Sequence, residues 1–157
     1  MKRGMKRSFI QKCAILWFLL LLYISISAIS YATTVSSHLS DSVFRLHVIA
    51  NSDSVEDQNL KYLVRDAIIA YMKTLTTNLN SKEEVLQIAH DHIEDFKNIA
   101  KEVITENGYD YDISVSIGNF SFPTKQYGDI SLPAGLYDAL RIEIGAAEGQ
   151  NWWCVMF

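Results

Sequence analysis

One stretch, residues 43–66, restricts the possible folds more than any other part of the chain. Its sequence is VFRLHVIANSDSVEDQNLKYLVRD. The first part alternates apolar and polar residues, which is typical of a strand with one face on a core. The last part places its apolar residues on one stripe of a helix. Between them lies a polar cluster, Asn51 to Ser54, in which Ser54 and the later Asp57 fit a capping box. The segment therefore predicts a strand that passes directly into a helix.

The polar cluster at this junction allows two interpretations. A strand that ends at a helix N-terminus leaves backbone N–H groups pointing outward, where they can bind an anion or another acceptor. The simpler interpretation is that the cluster only turns the chain and caps the helix. Because one capping residue would suffice, we also expect Asn51 and Asp53 to contribute to binding a partner.

The rest of the chain predicts one more helix and three more strands. Ser81 and Glu84 form a second capping-box pattern, and apolar residues keep helical spacing from there to Asn107. The predicted strands are 111–117, 140–144 and 152–157, and the predicted turns are 127–129 and 145–150. This order predicts an α+β fold. It is a two-layer sandwich, with two amphipathic helices packed on one face of a mostly antiparallel sheet of about four strands.

The N-terminus has the pattern of a secretory signal peptide. Five basic residues precede an apolar run from Cys13 to Ile29, and Ser30-Tyr31-Ala32 supplies small residues for cleavage after Ala32. We therefore expect a signal peptide at 1–32, a polar lead-in at 33–42 and a single α+β domain at 43–157. The alternative is a retained membrane anchor, since the apolar run is at the short limit of what spans a bilayer.

The charge of the exported part excludes some classes of partner. Without residues 1–32 the chain has 9 basic against 18 acidic residues, a net charge of −9. An acidic domain is a poor ligand for nucleic acid or for an anionic membrane surface. We expect no cofactor and no small-molecule substrate, and contact with a membrane only through the signal peptide.

The sequence does not predict an enzyme. The single candidate pair is Cys154 with His47, as in an exported cell-wall or peptide hydrolase. Cys154 lies between apolar residues of a strand, without a helix N-terminus to lower its pKa. His90 and His92 are two positions apart in a helix and point to nearly opposite sides, so we expect no metal site. Cys154 is either a buried thiol or half of a disulfide.

Aromatic residues predict a surface for a protein partner instead. Trp152 and Trp153 are adjacent in a strand and must point to opposite faces, so at least one leaves the helix-covered core. Trp and Tyr are favoured anchors at interfaces. We expect the outer face of the sheet to bind a partner through His47, Tyr137 and Arg141 together with the outward tryptophan, close to Arg45.

Three segments of the chain resemble the stage II sporulation protein R family. They are FRLHVIANSDSVEDQNLKYLVRD, LPAGLYDALRIEIG and NWWCV. The resemblance implies a forespore protein that is secreted into the space between two membranes. There it would activate a membrane-embedded aspartic protease of the mother cell, which matures the sigma-E precursor. Family members continue past the position of Phe157 with a Pro-rich, Cys-containing segment, which implies a missing disulfide partner for Cys154.

Overall fold

The computed structural model describes residues 2–157, without the side chains of residues 2–8, 32, 33 and 35–38. Its elements, in chain order, are α1 (Lys2–Ser42), β1 (Arg45–Ile49), α2 (Val55–Thr76), α3 (Lys82–Asp91), α4 (Ile93–Glu106), β2 (Ile113–Phe122), β3 (Lys125–Tyr127), β4 (Ile130–Leu132), β5 (Gly135–Ile144) and β6 (Asn151–Val155). The chain divides into two compact units, Met1–His38 and Leu39–Phe157.

Helix α1 contains a segment, Phe9–Tyr31, that is long and apolar enough to cross a membrane. Such a helix near the N-terminus is compatible with a signal sequence and also with an anchor. The same helix continues through residues 33–42, where the sequence predicts a polar lead-in. The side chains of Ala32 and Thr33 lie outside the described ones. Cleavage after Ala32 and the two boundaries between the three predicted segments stay predictions.

The second unit has the predicted α+β architecture. Four strands form one sheet in the order β2-β5-β1-β6. Strand β1 lies parallel to β5 and antiparallel to β6, and β2 lies antiparallel to β5. The inward side chains of these strands and the apolar stripes of the three helices form the core, whose fully buried members include Leu46, Val48, Val64, Ile68, Phe96, Ala100 and Leu140. The mostly antiparallel four-stranded sheet is confirmed.

The predicted second helix is divided in two at His92. The backbone of His92 leaves helical geometry, with φ −108° and ψ 19°, and separates α3 from α4. The hydrogen-bond ladder nevertheless continues, because His92 N donates to Ile88 O and Phe96 N donates to His92 O. The sequence contains no Gly or Pro at this point to indicate the bend.

Strands β3 and β4 form a separate two-stranded hairpin that the sequence analysis did not predict. Its turn is at the predicted position, since Tyr127 is the last residue of β3 and Gly128 has a φ of +59°. The hairpin matters because Tyr127 contacts the outer face of the main sheet.

Candidate functional site

The outer face of the sheet brings together most of the predicted site residues. His47 is directly opposite Arg141 on β5 and opposite Trp153 on β6. Arg45, two residues before His47, points to the same face. The clustering predicted from alternation along single strands is therefore present. We call Arg45, His47, Tyr137, Arg141 and Trp153 the outer-face cluster.

His47 is the centre of the outer-face cluster and is uncharged at neutral pH. Its ring stacks on Trp153 with centroids 3.7 Å apart, and Nε2 is 2.6 Å from Asn151 Oδ1. Burial lowers the pKa of His47 to about 4, an effect that Arg141 reinforces and the bond to Asn151 opposes. Its Nδ1 is buried and has no hydrogen-bond partner among the described residues. A neutral ring that bonds through Nε2–H leaves Nδ1 as an acceptor.

Arg45 is fully buried on the outer face, enclosed by aromatic rings. Its guanidinium lies 4.1 Å from the ring centroid of Phe122 and 4.8 Å from that of Tyr137. Arg45 Nη2 donates to Tyr127 Oη at 2.7 Å, and Tyr127 Oη donates to Trp153 O at 3.1 Å. Tyr127 of the hairpin thus connects Arg45 of β1 to Trp153 of β6 through two hydrogen bonds. Sequence reasoning missed Tyr127 and Phe122, because neither belongs to a pattern that indicates contact with β1.

The members of the outer-face cluster differ in exposure. Tyr137 is 1% exposed, with its hydroxyl donating to Pro133 O, so the expectation that it lies on the surface is wrong. Phe122 and Arg45 cover its ring. Arg141 and Trp153 remain partly exposed, and Arg141 forms an ion pair with Glu143 at 2.6 Å. Whether these two residues contact a partner stays a prediction.

The two tryptophans point to opposite faces, as predicted. Trp153 packs on His47 and Phe122 on the outer face. Trp152 lies on the helix side, where its ring meets Tyr62 edge-on and Arg65 lies 4.3 Å from its centroid. Both rings are only partly buried. A partner at β6 could therefore meet an aromatic side chain on either face.

The polar cluster at the β1–α2 junction is organised around Asp57. Ser54 Oγ accepts from Asp57 N at 3.1 Å, so the predicted helix cap is confirmed. Ser54 N donates to Ser52 Oγ at 3.2 Å and not to the carboxylate, so the capping box is incomplete. The carboxylate accepts instead from Asn51 Nδ2, Ser52 Oγ and Tyr111 Oη. Burial raises the pKa of Asp57, but these bonds outweigh it and hold the pKa below its usual value.

Asn51 and Asp53 also hold the loop between β5 and β6. Asn51 Oδ1 accepts from Ala146 N at 2.9 Å, and Asp53 Oδ1 accepts from Gln150 N at 2.8 Å. A Cβ at Gly145 would lie 2.2 Å from Asn51 Oδ1, so this close approach requires glycine. The two residues therefore do more than cap the helix: they fix the loop that leads into β6. Their predicted contact with a partner stays a prediction.

The pair proposed for a hydrolase is separated by the sheet. Cys154 is opposite Leu46, whose side chain is in the core, whereas His47 points to the outer face. Burial raises the pKa of the Cys154 thiol above its usual value. A raised pKa and opposite faces leave Cys154 and His47 without the geometry of a catalytic dyad. Among the described residues, no three His, Cys, Asp or Glu side chains could hold a metal ion together.

Comparison with known proteins identifies the family. The family model of stage II sporulation protein R matches residues 40–157, which is the second compact unit almost entirely. The chain belongs to the stage II sporulation protein R family. Stage II sporulation protein R of Bacillus subtilis (strain 168) is 41% identical over 119 residues, which are 76% of this chain and 53% of that relative.

This member of the stage II sporulation protein R family spans about half the length of the curated relative that it matches. No solved structure matches the chain. The matched region contains the outer-face cluster and the β1–α2 junction, and helix α1 up to Leu39 precedes it.

Proposed function

We propose that this protein is a secreted, non-enzymatic signal of sporulation. It is exported across the forespore membrane into the space between the two membranes. There it activates a membrane-embedded aspartic protease of the mother cell, which then matures the sigma-E precursor. Membership of the stage II sporulation protein R family supports the role in sporulation. The apolar helix Phe9–Tyr31 is compatible with export.

The outer face presents a partly exposed cation, Arg141, and a partly exposed aromatic ring, Trp153, and this pair is the main support for the proposal. Arg141 and Trp153 flank His47 on either side, and Arg141 Nε and His47 Nδ1 have no hydrogen-bond partner among the described residues. These two atoms are buried, but the Arg141 side chain is 32% exposed, so its accessible guanidinium N–H groups are able to donate to a binding protein. Trp and Arg are also the residues that contribute most at interfaces.

The proposal of a non-enzymatic protein is supported by the positions of its candidate catalytic groups. Cys154 lies in the core layer and His47 on the other face, so the hydrolase alternative lacks its nucleophile and base in one site. A Cys154→Ala variant is expected to keep signalling. Loss of signalling in a variant that folds normally would favour the hydrolase.

A matched pair of variants tests the outer face. Arg141→Gln and Glu143→Gln both break the 2.6 Å ion pair, but only the first removes the cation. We expect Arg141→Gln to abolish co-purification with the membrane protease and to stop processing of the sigma-E precursor. Glu143→Gln should retain both, because the cation at position 141 remains.

The stability of both variants is measured alongside, by thermal unfolding. The broken pair is partly exposed, so each variant should lose about 1 kcal/mol or less. Equal processing by the two variants would show that Arg141 is not part of the contact. Failure of the parent protein to co-purify with the protease would refute the proposed partner itself.

A further inference from the structure

Strand β6 is an open edge of the main sheet. Its single neighbour in that sheet is β1. Just beyond its end, Phe44 O accepts from both Met156 N and Phe157 N, while Phe44 N donates to Phe157 O. Met156 and Phe157 thus lie opposite the single residue Phe44, which is the arrangement of a β-bulge. The same bonds show that Phe44 belongs to a hydrogen-bonded pair.

The bulge determines which groups of β6 face away from the sheet. Hydrogen-bonded and non-hydrogen-bonded pairs alternate along antiparallel strands. Cys154 and Trp152, opposite Leu46 and Val48, therefore bond to β1. The N–H and C=O groups of the alternate residues point outward, and these residues are Asn151, Trp153 and Val155. Of these groups, Trp153 O accepts from Tyr127 Oη, and the rest have no strand beside them in the described part of the chain.

Edge strands of this kind attract other strands unless they are protected. Natural proteins protect edges with Lys, Pro or charged side chains, or with a bulge. Strand β6 has the sequence NWWCV, without charge or proline, and its bulge lies beyond its last residue. Apart from Trp153 O, which already accepts from Tyr127 Oη, the outward groups of the strand are able to pair with an extended segment.

The surroundings of Val155 determine the chemistry of that segment. A small cleft of about 60 Å³ beside the strand is lined by Ile69, Met72, Lys73, Val155 and Met156. Lys73 is exposed and has no ion pair with any described residue, whereas Arg45, opposite Val155 on β1, is fully buried beneath aromatic rings. The chain as a whole has a net charge of −4. This end of the edge therefore combines one exposed lysine without an ion pair and an apolar cleft, in an acidic protein.

We propose that β6 binds an extended segment of its partner, with alternating apolar and acidic residues, as a fifth strand of the sheet. The outward N–H groups of Trp153 and Val155 donate to that segment, an apolar side chain enters the cleft, and an acidic one pairs with Lys73. Charge argues against a second copy of this chain. Strand β6, with the sequence NWWCV, has no acidic side chain that could pair with Lys73 of another copy. The proposal rests on the proposed function, whose protease would supply the segment.

The test uses the full chain and the detergent-solubilised membrane protease. Val155→Pro removes one outward N–H, whereas Val155→Thr keeps it and keeps the β-branched shape. Binding of the protease should weaken by about tenfold or more in the proline variant and should be retained in the threonine variant. Amide hydrogen exchange of the parent is measured in parallel. Exchange at Trp153 and Val155 should slow by about tenfold or more on binding.

Each outcome decides between the two proposals. Binding without slower exchange at Trp153 and Val155 overturns strand addition and leaves the proposed function intact, even where the proline variant fails to fold. Absence of binding refutes the proposed partner. Strand addition is then tested by amide hydrogen exchange in the presence of an eight-residue peptide of alternating Val and Glu. A peptide of alternating Val and Lys is the control. Protection of Trp153 and Val155 by the acidic peptide alone supports it, and protection by neither peptide overturns it.

Discussion

The carboxylate of Asp57 holds the β1–α2 junction together, and replacing it with an amide should destabilise the domain. Asp57 is 4% exposed and accepts from Asn51 Nδ2 at 2.9 Å, from Ser52 Oγ and from Tyr111 Oη at 3.0 Å. In Asp57→Asn the charge is lost, and an NH2 group replaces one of the two accepting oxygens. Hydrogen bonds to charged groups contribute about 1.5–3 kcal/mol each, and three that share one carboxylate do not add fully. We expect a loss of about 3–5 kcal/mol.

A second variant calibrates that estimate. Tyr111→Phe removes one of the three donors and leaves the carboxylate in place, so it should cost about 1.5 kcal/mol. Both losses are measured by guanidinium unfolding of the full chain at pH 7, followed by circular dichroism. If Asp57→Asn cost no more than Tyr111→Phe, the carboxylate would not organise the junction.

The pH dependence provides an independent check of the same reasoning. The pKa of Asp57 is lowered in the folded protein, so its charge stabilises the fold above the unfolded pKa. That contribution is lost as the pH falls below about 4 and through the folded pKa. The difference in stability between the parent and Asp57→Asn should therefore be largest near neutral pH and shrink in acid. A difference that stays constant on acidification would refute the argument.

Two further predictions concern the loop before β6 and the histidine of the outer face. Gly145 and Gly128 have nearly equal positive φ values, +58° and +59°, but only a Cβ at Gly145 would meet Asn51. Alanine at either position should lower the free energy of unfolding by about 1 kcal/mol because of the positive φ. Gly145→Ala should lose about 2 kcal/mol more, because its Cβ meets Asn51. Equal melting temperatures of the two variants would contradict this. Since the pKa of His47 is lowered to about 4, its neutral ring stabilises the fold fully above about pH 6.5, and that contribution disappears as the pH falls toward 4. His47→Gln should remove this acid sensitivity. A His47 imidazole that titrates near pH 6.5 in an NMR experiment would contradict the lowered pKa.

Local patterns were sufficient to predict most of the main sheet and its helices. Alternation along Phe44 to Ala50 identified β1 and its buried face, and all of these residues are buried in the structure. Ser54 and Ser81 both cap helices, as the sequence indicated. The same period-2 rule placed the two tryptophans on opposite faces, because adjacent residues of a strand cannot share one.

Features that depend on contacts between distant segments were not predictable. The bend at His92 is hidden because the apolar spacing of Ala89, Phe96 and Ala100 suits one continuous helix. Strands β3 and β4 have three residues each, too few to show alternation. Tyr137 was expected on the surface because its strand position faces outward, and its burial arises from Phe122, which is distant in sequence.

The order of strands in the sheet has a consequence for how the chain folds during synthesis. The central strand, β1, comes early in the domain, yet both of its neighbours come from the last part of the chain. Arg45 pairs with Ala139 and Val155, which are 94 and 110 positions further on. Helices can form locally as the chain emerges, but the sheet cannot close until β6 is available. The core of the domain is therefore completed only after residues 139–155 have been synthesised.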